Sequence, residues 1–213
     1  MSSSRNSIER GIKVSKLGWD NAKKKAEEIL ADESMTREQQ LEIFKRFYST
    51  RKEQDMKIAV ALISGHIKKH ADDFDRDMSL ENLVEYGNQL CKYHSKEFGR
   101  EVLYQVLCER SVPAHWIDRI ADEETSGLRE AFVVALQELA GRKKRDLDRI
   151  FGMTAYFMDD PVPSVRDELV KLFAKIAERD SERLHYFLVD FSDNAGTARM
   201  GIIGAVKAHL GWK

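Results

Sequence analysis

The chain has 213 residues, enough for one substantial domain, and its 35 lysines and arginines nearly balance its 36 aspartates and glutamates. Because the charges balance, the chain has no net charge that would attract nucleic acid or a membrane surface to the whole molecule. A nucleic-acid site therefore has to be a local basic patch. The only cysteines, Cys91 and Cys108, exclude a disulfide framework. No apolar run approaches the roughly 20 residues that span a bilayer. The start lacks a signal-peptide core, so we expect a soluble cytoplasmic protein. The sequence has no Gly-rich phosphate loop and no paired Cys motif, so we expect no cofactor.

Apolar residues recur at helical spacing along most of the chain, and only three prolines interrupt it, so the sequence predicts an all-α fold. Residues 1–17 are predicted to form a flexible N-terminus, and residues 18–213 a single domain. The predicted helices cover residues 19–33, 36–48, 52–70, 79–92, 95–109, 113–120, 125–140, 145–158, 163–178, 181–190 and 195–210.

Local signals mark several of these helix ends. Thr36, with Gln39 three positions later, has the composition of a capping box. Asp160 and the proline that follows it precede the start of the helix predicted over residues 163–178. Gly141 follows an apolar periodic run and is expected to end its helix. The strand-like run 185–189 directly follows a helical pattern and is interpreted as helix.

One phrase recurs three times in the same helical phase, an arginine followed at +3, +4 and +7 by apolar residues. The three arginines are Arg129, Arg166 and Arg199, separated by 37 and 33 positions. Repeats of this length built on paired helices are typical of a HEAT-like α-solenoid. We therefore expect antiparallel helix pairs stacked into a curved, right-handed superhelix with a concave inner face.

Two interpretations of the repeated arginines remain open. An aspartate stands six or seven positions before each of them: Asp122, Asp159 and Asp193. Pairing with these aspartates would tie one repeat to the next. Alternatively, the guanidinium groups at the helix starts are presented to phosphates on the concave face.

Four segments resemble, in order, the DNA alkylation repair family, the AlkD-type HEAT-like glycosylases that excise alkylated purines. The first contains the run from Ile58 to Leu62, and the second is the phrase from Ser79 to Glu85. The third runs from Trp116 to Ala131, and the fourth from Ser164 to Arg179. The resemblance extends from Arg51 to the C-terminus, about three quarters of the chain. None of the four segments is as specific as a metal-binding or phosphate-loop motif.

The resemblance places Glu85 where the family has its catalytic aspartate, and Arg129 at an unchanged arginine of the family's site. Three positions depart from the pattern. Glu81 and Lys171 stand where the family has aromatic residues, and Glu130 replaces the second arginine of a pair.

The chemistry of base excision explains why those residue types matter. An alkylated purine is already a cationic leaving group, so charge develops on the sugar as an oxocarbenium ion. A carboxylate near the sugar stabilises that charge, and aromatic faces contact the cationic base. The resemblance implies that Glu85 supplies the carboxylate, while a helix-surface carboxylate without this role is the competing interpretation.

The densest basic cluster is Arg142, Lys143, Lys144 and Arg145, between two predicted helices. Such a loop suits phosphate contacts. A solvated turn balanced by Asp146 and Asp148 is the alternative.

His66 and His70 share a helix face at i, i+4 spacing, which two metal ligands can use. No third ligand is in register, so we expect no metal site there.

These observations lead to one primary hypothesis and one rival. The primary hypothesis is a protein of the alkylation-repair family that binds double-stranded DNA, with weak or altered alkylpurine N-glycosylase activity. The rival is a non-catalytic HEAT-repeat scaffold that binds a protein partner on its concave face, the commoner use of such solenoids.

Overall fold

The computed structural model describes residues 18–70, 79–109, 112–142, 147–192 and 195–212, which are helical almost throughout. No strand occurs within these ranges, which confirms the predicted all-α fold. None of their helices is long and apolar enough to cross a membrane. The chain divides into two compact units, Met1–Ser79 and Leu80–Lys213. The predicted flexible N-terminus lies outside the described residues, and the single domain over 18–213 stays a prediction.

The first unit contains three described helices, α1 (Gly18–Ala31), α2 (Arg37–Ser49) and α3 (Glu53–Lys69). Helix α3 packs against both others and is buried along most of its length. The predicted capping box at the start of α2 is confirmed. The backbone N–H of Gln39 donates to Thr36 Oγ1 at 3.3 Å, and the backbone N–H of Thr36 donates to Gln39 Oε1 at 2.8 Å.

The described part of the second unit contains seven α-helices. In chain order its elements are α4 (Leu80–Phe98), a π-helical segment (Gly99–Leu103), α5 (Tyr104–Glu109), α6 (Ala114–Ala121), α7 (Ser126–Arg142), α8 (Leu147–Thr154), a 3-10 turn (Ala155–Phe157), α9 (Pro163–Asp190) and α10 (Thr197–Leu210).

Two predicted helix boundaries appear as kinks rather than as ends. The break expected between 92 and 95 is the non-helical backbone of His94 inside α4, and the break between 178 and 181 is Asp180 inside α9. The run 185–189 is helical, as predicted. The expectation that Gly141 ends its helix is wrong: α7 continues to Arg142, because Gly141 does not adopt the left-handed conformation that stops a helix.

Helices α4, α7 and α9 lie side by side and run in the same direction. Asn88 in α4 bonds to Glu123 just before α7, and further along Lys96 lies 4.0 Å from Glu130 in α7. Residue numbers also increase together along α7 and α9: Gln137 contacts Glu168, and further along the carbonyl of Ala140 contacts Arg179. We call these three helices the parallel layer. The two helices that begin with the repeated Arg129 and Arg166 phrases are therefore parallel neighbours.

Short helices and aromatic side chains cover the other side of the parallel layer. The indole of Trp116 in α6 donates to the carbonyl of Leu80 at the start of α4, at 2.9 Å. Its ring packs edge-on against Phe132 of α7, which stacks in turn on Phe157, with centroids 6.0 and 5.3 Å apart. All three rings are buried, so a continuous aromatic core joins α6 and the 3-10 turn to α7.

Close packing of the layer requires a glycine at the point where α4 passes into the π-helical segment. A Cβ on Gly99 would lie 2.3 Å from the carbonyl oxygen of Ala131 in α7, and backbone cannot move aside as a side chain can. Gly152, in α8, faces open space.

We expect alanine substitutions at these two glycines to change the free energy of unfolding in opposite directions. Gly99→Ala should lower the free energy of unfolding by about 1–3 kcal/mol through overpacking. Gly152→Ala should raise it by roughly 0.5–1 kcal/mol, because alanine favours helix more than glycine. Urea unfolding followed by circular dichroism measures both, and a stabilised Gly99→Ala variant would contradict the close approach of α4 and α7.

Candidate functional site

The repeated Arg129 is buried at the start of α7. Its guanidinium Nε donates to Asp160 Oδ2 at 2.6 Å, and a second nitrogen donates to the backbone carbonyl of Glu123. The two charged side chains are 8% and 4% exposed. A phosphate contact from Arg129 therefore requires this buried pair to open.

Within the described residues, two of the three repeated arginines, Arg129 and Arg199, pair with aspartates that the sequence did not suggest for them. Arg129 reaches forward to Asp160 instead of back to Asp122, because α7 and α9 run in parallel and their starts are adjacent. Arg199 binds Asp159, the residue beside Asp160, whereas Asp193 lies outside the described residues.

Arg166 is half-buried and lines a groove of about 210 Å³ between α9 and α10, with Asp167 and Val170. It does not pair with Asp159, whose carboxylate is occupied by Arg199. Within the described residues Arg166 forms no ion pair, so its guanidinium is the one of the three still open to another anion.

A carboxylate of α9 joins two lysines from different helices. Glu168 Oε1 lies 3.1 Å from Lys96 Nζ of α4 and 2.7 Å from Lys171 Nζ of α9 itself. The other oxygen of Glu168 accepts from Gln137 Nε2 of α7 at 2.7 Å. The carboxylate is 6% exposed, while the two lysines are 45% and 56% exposed. One buried anion thus holds two exposed cations at the surface of the parallel layer.

A second bridge of the same kind lies further along the layer. Glu138 of α7 lies between Arg100, in the π-helical segment, and Lys175 of α9, at 3.7 and 3.8 Å. Here too the carboxylate is less exposed, at 29%, than the cations, at 51% and 40%. We call Lys96–Glu168–Lys171 and Arg100–Glu138–Lys175 the two cation bridges.

The first bridge shifts the ionisation of its members. Burial alone would raise the pKa of Glu168, but hydrogen bonds from Lys171, Gln137 and Lys96 outweigh it and leave that pKa lowered. The hydrogen bond to Glu168 raises the pKa of Lys96. Both shifts favour the charged pair, so the bridge is ionised at neutral pH.

No site role was predicted from the sequence for the four cations of these bridges. The available signal was the i, i+4 spacing of Lys96 with Arg100 and of Lys171 with Lys175, which places two basic residues on one face of each helix. That the two faces adjoin depends on the packing of α4 and α9 against α7.

Glu85 is exposed on α4, near the start of the parallel layer. It forms no hydrogen bond or ion pair within the described residues. Lys96 follows it by eleven positions, beyond the non-helical backbone of His94. Glu85 has no contact with the first bridge, and Arg129 is held in its buried pair with Asp160.

Only the first residue of the predicted basic loop can be placed. Arg142 is exposed at the end of α7, with its guanidinium carbon 4.9 Å from the centre of the Tyr104 ring. Lys143, Lys144 and Arg145 lie outside the described residues, between the end of α7 and the start of α8.

His66 in α3 and His70, directly after the end of that helix, lie together, with ring centroids 4.7 Å apart. No group of three or more His, Cys, Asp or Glu side chains in the described ranges is arranged to hold a metal ion.

Searches against protein-family models, curated proteins and solved structures give no match to this chain. The contacts and charges of the described residues are therefore the basis for assigning a function.

The lowered pKa of Glu168 predicts how stability depends on pH. A depressed carboxyl pKa adds stability that is complete above the pKa of the unfolded chain, near 4.5, and is lost as pH falls through the lower folded value. Glu168→Gln should lower the free energy of unfolding at pH 7 by about 1–3 kcal/mol. It should also flatten the loss of stability as the pH falls below about 4.5.

Urea titrations at several pH values measure this effect. Glu178→Gln, on the exposed face of the same helix, serves as the control and should retain the full pH dependence. A Glu168→Gln variant with unchanged pH dependence would show that the bridge contributes nothing to stability.

Proposed function

We propose that this protein is a HEAT-like α-solenoid that binds double-stranded DNA along the surface of its parallel layer, as a divergent relative of the DNA alkylation repair family. Glu85 is the carboxylate proposed for a weak or altered N-glycosylase activity. The observation that carries the proposal is the pair of cation bridges. In them, four exposed positive groups are paired with two carboxylates that are less exposed.

The proposed solenoid architecture draws support from the spacing of contacts between the helices. Polar ties join positions 31 to 40 residues apart along the second unit: Arg129 to Asp160, Gln137 to Glu168, Arg179 to Ala140 and Arg199 to Asp159. Spacings close to the sequence period are expected when equivalent helices of successive repeats stack. We propose that this stack is the curved, right-handed superhelix that the sequence pattern predicts.

The arrangement of charge supports a phosphate-bearing ligand. Exposed ammonium and guanidinium groups are the ones a DNA backbone meets first, and the partly buried carboxylates hold those groups in place. Arg166 and the loop from Arg142 to Arg145 extend the proposed phosphate contacts. Arg129 contributes by holding the starts of α7 and α9 together, and contacts phosphate only where its pair with Asp160 opens.

A protein partner is the second candidate, and one observation favours it. Glu130, Glu138 and Glu168 compensate most of the positive charge of the bridges. A surface of alternating charges suits a polar protein interface as well as it suits DNA. The salt dependence of DNA binding separates the two candidates.

If the protein binds DNA through the cation bridges, removing their two lysines on α9 should lower its affinity for DNA. Lys171→Gln with Lys175→Gln should weaken binding of a 20-base-pair duplex equally for different sequences. It should also reduce the slope of log affinity against log salt by roughly two, about one per lost contact. Replacing Arg142, Lys143, Lys144 and Arg145 by glutamine should act in the same direction. Fluorescence anisotropy between 50 and 200 mM salt measures both.

Lys24→Gln with Lys45→Gln, two exposed lysines of the first unit, is the matched control and should leave the slope unchanged. Absence of duplex binding by the wild type at 50 mM salt would overturn the DNA proposal and favour the protein partner. Binding that ignores salt would do the same.

The proposed role of Glu85 gives a separate prediction. Glu85→Gln should slow release of 7-methylguanine from methylated duplex DNA by roughly a hundredfold or more, with little change in DNA affinity, because the carboxylate stabilises charge only in the transition state. Glu81→Gln, one turn earlier on the same helix, is the control. Release that survives Glu85→Gln would show that the carboxylate is misassigned. A wild type that binds DNA but releases no base would leave binding as its only DNA function.

A further inference from the structure

The C-terminal end of α10 folds an aromatic side chain back onto α9. Gly211 adopts a left-handed conformation with φ 67°, which glycine reaches without strain. The N–H of Gly211 donates to the carbonyl of Ala208 at 3.4 Å, and the N–H of Trp212 donates to Lys207 at 2.9 Å. These two bonds form a Schellman motif, which reverses the chain at the helix end. The reversal brings the Trp212 ring against His185 of α9.

Trp212 completes a groove with three aromatic walls. Its ring lies 5.6 Å from that of His185 at 74°, and the His185 ring lies 6.3 Å from that of Tyr186 at 66°. These residues line an open groove of about 420 Å³ together with Ser181 and Glu182. The His185 ring stands steeply to both neighbours, so the three rings do not form a flat stack, and the groove that they line is open to solvent.

The groove carries one carboxylate and an unusually exposed aromatic ring. Glu182 is exposed and forms no ion pair within the described residues. The adjacent cation, Arg183, is bound to Asp148. Tyr186 is 62% exposed, more than any other large apolar side chain among those described. Core packing therefore does not explain the position of the Tyr186 ring.

We infer that this groove binds a trimethylated lysine of a protein partner. Aromatic faces attract cations through their quadrupole, and cages of such rings are used to bind quaternary ammonium groups. Three steeply inclined walls suit a rounded trimethylammonium group better than a planar guanidinium, which prefers to stack on one face. Glu182 adds the charge complementarity that a purely apolar ligand would not use. This site is separate from the cation bridges and does not depend on DNA binding.

Titration of the full chain with Nε-trimethyllysine, followed by the NMR signal of the Trp212 indole N–H, tests the inference. That signal is assigned by its loss in Trp212→Phe. We expect a saturable shift, at least about tenfold weaker binding for unmethylated lysine, and a similar weakening in Tyr186→Ala and in Glu182→Gln. Tyr93→Ala removes another exposed ring, 53% accessible and remote in sequence, and should leave the affinity unchanged.

Two ligand controls decide what the groove recognises. 3,3-Dimethylbutanol has the same branched end without charge, and equal binding of this alcohol would overturn the inference in favour of a simple apolar groove. Equal binding of lysine and trimethyllysine would overturn it in favour of plain charge attraction. No saturable shift with trimethyllysine, in a wild type whose thermal unfolding is cooperative, would also overturn it. Cooperative unfolding of each variant is the check that it is folded.

Discussion

The buried ion pair between Arg129 and Asp160 joins the start of α7 to the start of α9 and constrains how these two helices of the parallel layer align. Two charges taken out of water are costly, and their attraction compensates that cost only when the geometry is good, so a register that separated them would be strongly unfavourable. Removing one partner of a buried pair typically costs about 3–5 kcal/mol. The neighbouring Asp159 binds Arg199, so two adjacent aspartates hold the starts of α7 and α10 on either side of α9.

Parallel helices place like ends of their dipoles beside one another, and the charges of the chain are arranged to compensate. At the start of α9, Asp160 Oδ1 accepts from the backbone N–H of Val162 at 2.8 Å. At the other edge, Arg149 donates to the carbonyl of Leu107 and Arg179 to that of Ala140, satisfying carbonyls that have no partner within their own helices. In the first unit Lys69 does the same for Leu30, the carbonyl near the end of α1.

Two residues at which the proposed family resemblance fails, Lys171 and Glu130, lie in the same network of charges. Lys171 is one arm of the first bridge, and Glu130 lies 4.0 Å from Lys96. With tryptophan at 171, Glu168 would lose one of its two cations. With arginine at 130, Lys96 would face a like charge. Lys171 and Glu130 are therefore compatible with each other as members of one network of paired charges.

The sequence by itself determined what depends on neighbours along the chain. Helical periodicity located the helices, the four-residue phrase from Thr36 to Gln39 defined a cap, and the recurring arginine stripe indicated that α7 and α9 are equivalent. It did not determine which aspartate Arg129 binds, that Lys96 and Lys171 share one carboxylate, or that Trp212 closes a groove on α9. Those partners lie 27 to 75 positions apart, and the sliding and rotation of packed helices decide which of them meet. That register is set by the buried surfaces of the whole layer, so only the tertiary structure could decide it.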